Sequence, residues 1–360
     1  MSKRSIIPFG PQHPVLPEPI HLDLVLEDEK VVEAIPTIGY VHRGLEKLVE
    51  KKDFQQYVYV AERICGICSF MHGMGYCQAV ENVMGIKVPE RAEFLRTMWA
   101  ELSRIHSHLL WLGLLADGFG FESLFMQCWR LREKILDIFE MTTGGRIIFS
   151  VCKIGGVRKD INPDMIKLIL KTLKDITGEL KKIEIIFFND YTVRHRLVGV
   201  GILTKQQASE LCAVGPMMRA SGLAYDTRKL NYAAYKHLDF EPIIHNDGDC
   251  YARCMVRVNE IYQSIDLINQ LATKIPKGEI ATVVVIGNPK GEYFSRLEQP
   301  RGEVVYYVKG NGTKFLDRMR VRTPTFANIP AMLKTLQGCD LADVPMLILT
   351  VDPCISCTER

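Results

Sequence analysis

A chain of 360 residues, 47% apolar and 24% charged, has ordinary globular composition and enough length for a large core. A net charge of +3 without a basic run argues against a nucleic-acid partner, and no stretch reaches the ~18 consecutive apolar residues of a membrane span. The opening MSKRSIIPFGPQHP lacks the apolar core of a secretory signal, so the eleven cysteines read as reduced thiols, for metal or for packing rather than for disulfides.

Residues 20–36 alternate apolar and polar around EDEK and predict a β-hairpin. Residues 61–73, AERICGICSFMHG, carry Cys65 and Cys68 ahead of a helix-like segment. From Pro89 to about Gly144 apolar residues recur at three and four, which predicts two helices broken at 118–121. A third helix is capped by Asn162 and opened by Pro163, with Ile166, Ile169, Leu173, Ile176 and Leu180 on one stripe. Residues 250–275 predict a fourth. GEVVYYVKGNGTKFLDRMRVRTP reads as strand, Asn-Gly turn, strand, and MLILTV as a buried strand ending at Asp352–Pro353. The closing CISCTER carries Cys354 and Cys357. The class expected is α+β: one mainly helical domain over 1–360, with small antiparallel sheets near both ends.

Two Cys-x-x-Cys pairs admit several readings. Four thiolates can hold structural zinc, but zinc corners usually brace poorly cored modules, and this chain has core to spare. A redox dithiol needs one pair and leaves the other unexplained. Coincidental buried cysteines become hard to credit beside Arg63 before one pair and Asp352–Pro353 before the other. A soft catalytic metal such as nickel, iron or zinc suits thiolates equally, and spacing alone does not choose among them. The remaining Cys77, Cys128, Cys152, Cys212, Cys250, Cys254 and Cys339 read as buried small hydrophobes.

The flanks carry a resemblance. RICGICSFMH (63–72) and DPCISCTER (352–360) resemble the two signatures of nickel–iron hydrogenase large subunits, and HRGLE (42–46) and QPRGEVVYYV (299–308) match two further motifs in the same order. GYVHRGLEKL, SHLLWLG and GDCYARCMVRVNEI resemble the branch related to the quinone-site subunit of respiratory complex I, within it the energy-converting, Ech or carbon-monoxide-induced type.

The resemblance implies a nickel–iron centre with cyanide and carbon monoxide on iron. Cys65 and Cys354 would be terminal nickel ligands, and Cys68 and Cys357 would bridge the metals. Arg301 would lie over the diatomic ligands with Asp352 paired beside it, Thr325 would hydrogen-bond a cyanide, and His72 a bridging sulfur. Glu18, by its spacing from Glu46, would be the proton gate. Ser107 in IHSHLL stands where the family often has an aspartate near the iron ligands, so that contact is expected to be weaker or absent; Arg360 stands where it often has a histidine, so no third metal is expected and Arg360 is expected to pair with Glu46. The chain has no further Cys-rich motif for iron–sulfur clusters. The resemblance therefore implies an iron–sulfur small subunit, ferredoxin as electron source and integral membrane subunits. It puts the chain peripherally on the cytoplasmic side of the membrane.

Overall fold

The alternation of Leu22, Leu24 and Leu26 puts three leucines on one face of a strand, and in the computed structural model that face is buried. The model describes residues 4–282 and 287–360. Strand β2 (His21–Glu27) pairs antiparallel with β3 (Lys30–Thr37), as the hairpin pattern predicts. An additional edge strand, β1 (Arg4–Phe9), pairs with β2 from the other side. Its Pro8 and the following Gly10–Pro11 hide it in the sequence.

Behind this sheet the chain is helical. Helix α1 (Tyr57–Glu62) leads into the first cysteine pair, and α2 (Ser69–Met84) follows it. Helices α3 (Glu90–Gly118) and α4 (Glu122–Thr143) form an antiparallel pair, and all but six residues of α3 are buried. A short hairpin, β4 (Cys152–Lys153) with β5 (Gly156–Val157), lies mid-chain, where no strand is expected. Helix α5 (Pro163–Phe188) is capped as expected: Met165 N donates to Asn162 Oδ1 at 2.9 Å, and Ile169, Leu173, Ile176 and Leu180 are buried. Helix α6 (Cys250–Lys274) packs on α3.

The C-terminal sheet has three strands, β6 (Lys290–Gln299), β7 (Gly302–Asn311) and β8 (Leu316–Arg322). The last two are the predicted pair, and β6 adds to their edge. The β6–β7 turn presents Arg301. It is held by a close backbone approach: a Cβ at Gly302 would lie 2.9 Å from Gly215 Cα, with Gly302 at φ 130° and Gly215 at φ 65°.

Helix α7 (Pro324–Leu336) follows. MLILTV is helical, not a strand: it lies in α8 (Val344–Val351), and the second cysteine pair follows a helix end. A run buried on every side carries no period to separate helix from strand, and Pro345 in the first turn is the helix signal that the run itself obscures. The last element is the single turn α9 (Ile355–Thr358). Among the described residues no helix is long and apolar enough to cross a membrane.

Candidate metal centre

The two cysteine pairs meet across the core. Cys65 and Cys68 lie in the turn between α1 and α2, and Cys354 and Cys357 flank the start of α9. Cys65 Sγ is 3.4 Å from Cys354 Sγ, and Cys68 Sγ is 3.4 Å from Cys357 Sγ. The Sγ atoms of Cys65, Cys68 and Cys357 lie within 4.8 Å of one another, and all four residues are buried. Hydrogen bonds from Cys354, Cys357 and Cys68 hold the Cys65 thiol well below its ordinary range. Burial pushes Cys68 and Cys357 well above theirs; the neighbouring sulfurs add to the rise at Cys357, while at Cys68 the contact with Cys357 opposes it. Four thiols in this volume cannot all ionise without a cation among them, and soft sulfur donors suit nickel, iron or zinc.

Arg43, in HRGLE, staples the two segments. Its guanidinium donates to Arg63 O (3.0 Å), Ile64 O (2.9 Å) and Ser356 O (2.8 Å). The second pair is also fixed from behind. Asp352 ends α8 with φ 60°, a left-handed conformation that Asp tolerates better than most residues. Arg301 Nε donates to Asp352 O (2.8 Å) and Nη2 to Asp352 Oδ1 (2.7 Å). Thr325 Oγ1 accepts from Cys354 N (3.0 Å), which leaves its proton free to donate.

Arg301 Nη1 and Asp352 Oδ2 are buried without a partner among the described residues. An unpaired guanidinium nitrogen beside four thiols fits a small acceptor such as a metal-bound cyanide. The set as a whole therefore fits a nickel–iron centre with diatomic ligands. Burial raises the Asp352 carboxyl despite Arg301 and Arg257.

His72, on α2, contacts Cys357 Sγ through Nε2 (3.3 Å) and Tyr306 OH through Nδ1 (2.6 Å). Burial lowers the imidazole to about 4, so it is neutral near pH 7. A metal-holding Cys357 thiolate has no proton to give, so beside it the one ring proton belongs on Nε2, toward the sulfur, and Nδ1 accepts from Tyr306 OH. Glu18, in the β1–β2 loop, accepts from Ser356 N (3.0 Å), Ser356 Oγ (2.7 Å) and Ile355 N, with Oε1 3.9 Å from Cys354 Sγ.

Several side chains near the centre carry no signal a motif would reveal. Tyr306 reads in sequence as an ordinary strand tyrosine. Glu62 is buried, its Oε2 accepts from Ser150 Oγ (2.6 Å) and its Oε1 has no partner among the described residues; burial raises its carboxyl to about 7. Ser107 Oγ has no partner, so the contact expected to weaken there is missing among the described residues. Arg360 Nε pairs with Glu46 Oε1 at 2.9 Å, as expected. Of the seven other cysteines five are buried; Cys212 is exposed and Cys339 half-buried, so the packing role expected of every one of them fails at Cys212.

This fold and its thiol-lined core define a class, and sequence comparison agrees with it. The family description "Respiratory-chain NADH dehydrogenase, 49 Kd subunit" matches residues 118–286 and 282–360, and "Nickel-dependent hydrogenase" matches residues 43–116. The chain belongs to the family of nickel–iron hydrogenase large subunits, in the energy-converting branch related to the complex I quinone-site subunit.

Among particular proteins it is 39% identical to the membrane-bound hydrogenase subunit alpha of Pyrococcus furiosus, over 98% of this chain and 87% of that one. It is 38% identical to the carbon monoxide-induced hydrogenase of Rhodospirillum rubrum, over 98% and 99%. Its fold matches a chain of an archaeal respiratory membrane complex, the membrane-bound sulfane sulfur reductase, with a TM-score of 0.94, 31% identity, and 99% and 98% of the two chains covered.

Proposed function

We propose that this chain is the catalytic large subunit of an energy-converting nickel–iron hydrogenase, which reversibly reduces protons to dihydrogen with ferredoxin-derived electrons. The observation that carries the reading is the meeting of four buried cysteines from opposite ends of the chain, Cys65 with Cys354 and Cys68 with Cys357. The names of two close relatives support it.

The four thiolates would hold nickel and iron, Cys65 and Cys354 as terminal nickel ligands and Cys68 and Cys357 as bridges. The centre, with cyanide and carbon monoxide on iron, would supply the electron chemistry. The chain's own residues do the rest. Arg301 offers Nη1 to a diatomic ligand and keeps its charge, since a guanidinium does not titrate. Thr325 has a hydroxyl proton to give a cyanide. Asp352 fixes the Arg301 fork. His72 aims a proton at the Cys357 sulfur and so withdraws charge from it. Glu18 takes and returns protons at the Cys354 sulfur.

The chain has no motif for iron–sulfur clusters, so electrons would enter through a cluster-bearing small subunit. Integral membrane subunits would couple the reaction to ion translocation and hold this chain at the cytoplasmic face. The second reading, a metal-free subunit like the complex I quinone-site protein, has in its favour the match over residues 118–360. It gives the four converging thiols no task.

The test is substitution of each paired cysteine by serine in the complex. Cys65→Ser, Cys68→Ser, Cys354→Ser and Cys357→Ser are each expected to lose nickel and dihydrogen turnover, while Cys77→Ser costs only packing. Full turnover in any of the four would refute the proposal.

A further inference from the structure

Beyond the thiols the core holds a second polar assembly, which the chemistry above does not use. Glu101, Arg104 and His108 on α3, Glu260 on α6, Arg219, Asp226, Arg228, and Glu298 at the end of β6 are all essentially without solvent exposure. His108 Nε2 meets Glu260 Oε2 at 2.9 Å, and Arg219 joins Glu260 (2.7 Å) to Glu298 (2.8 Å). Arg228 joins Asp226 (2.7 Å) to Glu101 (3.2 Å), and Arg104 lies 3.4 Å from Glu101 and 3.8 Å from Glu260. The assembly thus holds four carboxyls and three guanidiniums. Burial lowers His108 to about 4, so the imidazole adds no charge near pH 7.

One uncompensated charge in a dry core costs several kcal/mol, and a proton removes it. Glu298 has the fewest charged partners. Glu260 takes Arg219, with Arg104 close by and a hydrogen bond from neutral His108; Asp226 takes a forked Arg228, with Arg219 at 3.7 Å; and Glu101 takes Arg228 and Arg104 with the hydroxyls of Ser264 and Tyr235. The Glu298 carboxyl has Arg219 Nη1 and, on its other oxygen, only Thr227 N at 3.1 Å. The groups that face it are Arg219, Asp226 and Arg104, and burial raises its carboxyl above the ordinary range in spite of both arginines. Arg257 also stands on α6: it donates to the carbonyls of Thr350 and Val351, and its charge faces the carboxyls of Asp352 first and then Glu260, while Glu298 is not among the groups it faces.

The position of Glu298 gives the proton somewhere to go. It begins the turn that carries Arg301, and Arg104 clamps that turn by donating to Glu298 O (2.8 Å) and Gln299 O (3.2 Å). On the other side Thr227 Oγ1 lies 3.3 Å from Glu303 Oε2. Glu303 in turn pairs with Arg296 and Arg322, which are 44% and 38% exposed.

We propose that this assembly stores one exchangeable proton on Glu298, between the Arg301 turn and the surface cluster at Glu303. Residence of the proton follows from the burial of Glu298 and its single direct ion pair, shared with Glu260; its use in turnover rests on the proposed function.

Infrared spectra of the intact complex between pH 6 and 8, in light and heavy water, test the storage directly. Glu62 and Asp352 are further buried carboxyls raised by burial, so the Glu62 band is removed first with Glu62→Gln, and the Glu298 band is told from that of Asp352 by its response to the Glu298 variants. The expected result is a remaining protonated-carboxyl carbonyl band that shifts in heavy water, disappears in Glu298→Gln and moves in frequency in Glu298→Asp. These bands do not depend on dihydrogen chemistry, so a hydrogenase reading that failed would leave them in place. No such band in Glu62→Gln, or one that both Glu298 variants leave unchanged, would overturn the proposal. The Glu62→Gln spectrum alone suffices for the first of these outcomes if the Glu298 variants do not fold.

Discussion

The finest distinctions at this centre are made by single hydrogen-bonding atoms. Glu18 reaches the Cys354 sulfur only through Oε1, while Ser356 and Ile355 hold the carboxylate in place. Glu18→Gln keeps the shape and cannot titrate. It is expected to retain nickel yet lose exchange between deuterium gas and water protons by at least ~10²-fold, the usual worth of a positioned acid–base group. Exchange at the wild-type rate would show that protons leave by another way. Arg301→Lys keeps charge but gives up the fork across Asp352, and a loss of ~10–100-fold in turnover with altered infrared bands of the diatomic ligands is expected. Unchanged bands would remove Arg301 from the ligand's side. At this scale the sequence is legible where residues sit inside a motif. Cys65 with Cys68 and Cys354 with Cys357 stand in Cys-x-x-Cys spacing and Arg301 in QPRGE, and the structure brings the two pairs together and ties Arg301 to Asp352 beside them. Tyr306 and Glu62 are not legible, because their importance lies in burial and in a neighbour far along the chain.

At the scale of elements, the critical structure is the end of α8. A helix leaves its last carbonyls without partners, and here they are buried. Trp111 Nε1 donates to Leu349 O (2.9 Å), Arg257 to Thr350 O and Val351 O (2.8 Å each), and Arg301 to Asp352 O (2.8 Å). Three elements thereby aim the Asp352–Cys354 corner at the first cysteine pair. Arg257→Met removes two of these donors. Each stranded carbonyl costs ~1–3 kcal/mol, so a clear fall in thermal midpoint and a drop in nickel content are expected together. A stable, fully loaded variant would mean that the corner sets its own geometry. The long helices α4 to α6 are found by an apolar face or a cap, and α3, buried nearly all round, by the Pro89 and acidic residues that open it. Sequence periodicity fails at α8, where no polar face exists to give a period, and at β1, where prolines imitate a loop.

Across the whole molecule, buried titratable groups tie stability to pH. Glu62 has its folded pKa raised to about 7 by burial, with Arg63, Arg158 and Ser150 opposing it. A raised carboxyl favours the folded state most below its unfolded value of about 4.5, and that contribution is lost as pH rises through about 7. Glu62→Gln is therefore expected to match the wild type near pH 5 and to exceed it at pH 8–9 by up to about 3 kcal/mol in thermal or denaturant unfolding of the complex. Parallel curves at all pH values would show that Glu62 is ionised throughout. What the four cysteines hold decides the function most directly. Partner clusters would contribute iron of their own, so nickel is the diagnostic element. Quantified in the purified native complex, nickel is expected at about one per copy of this chain and to vanish in Cys65→Ser. Stoichiometric zinc in its place, or no metal bound by these thiols, would rule out a nickel–iron centre in this chain.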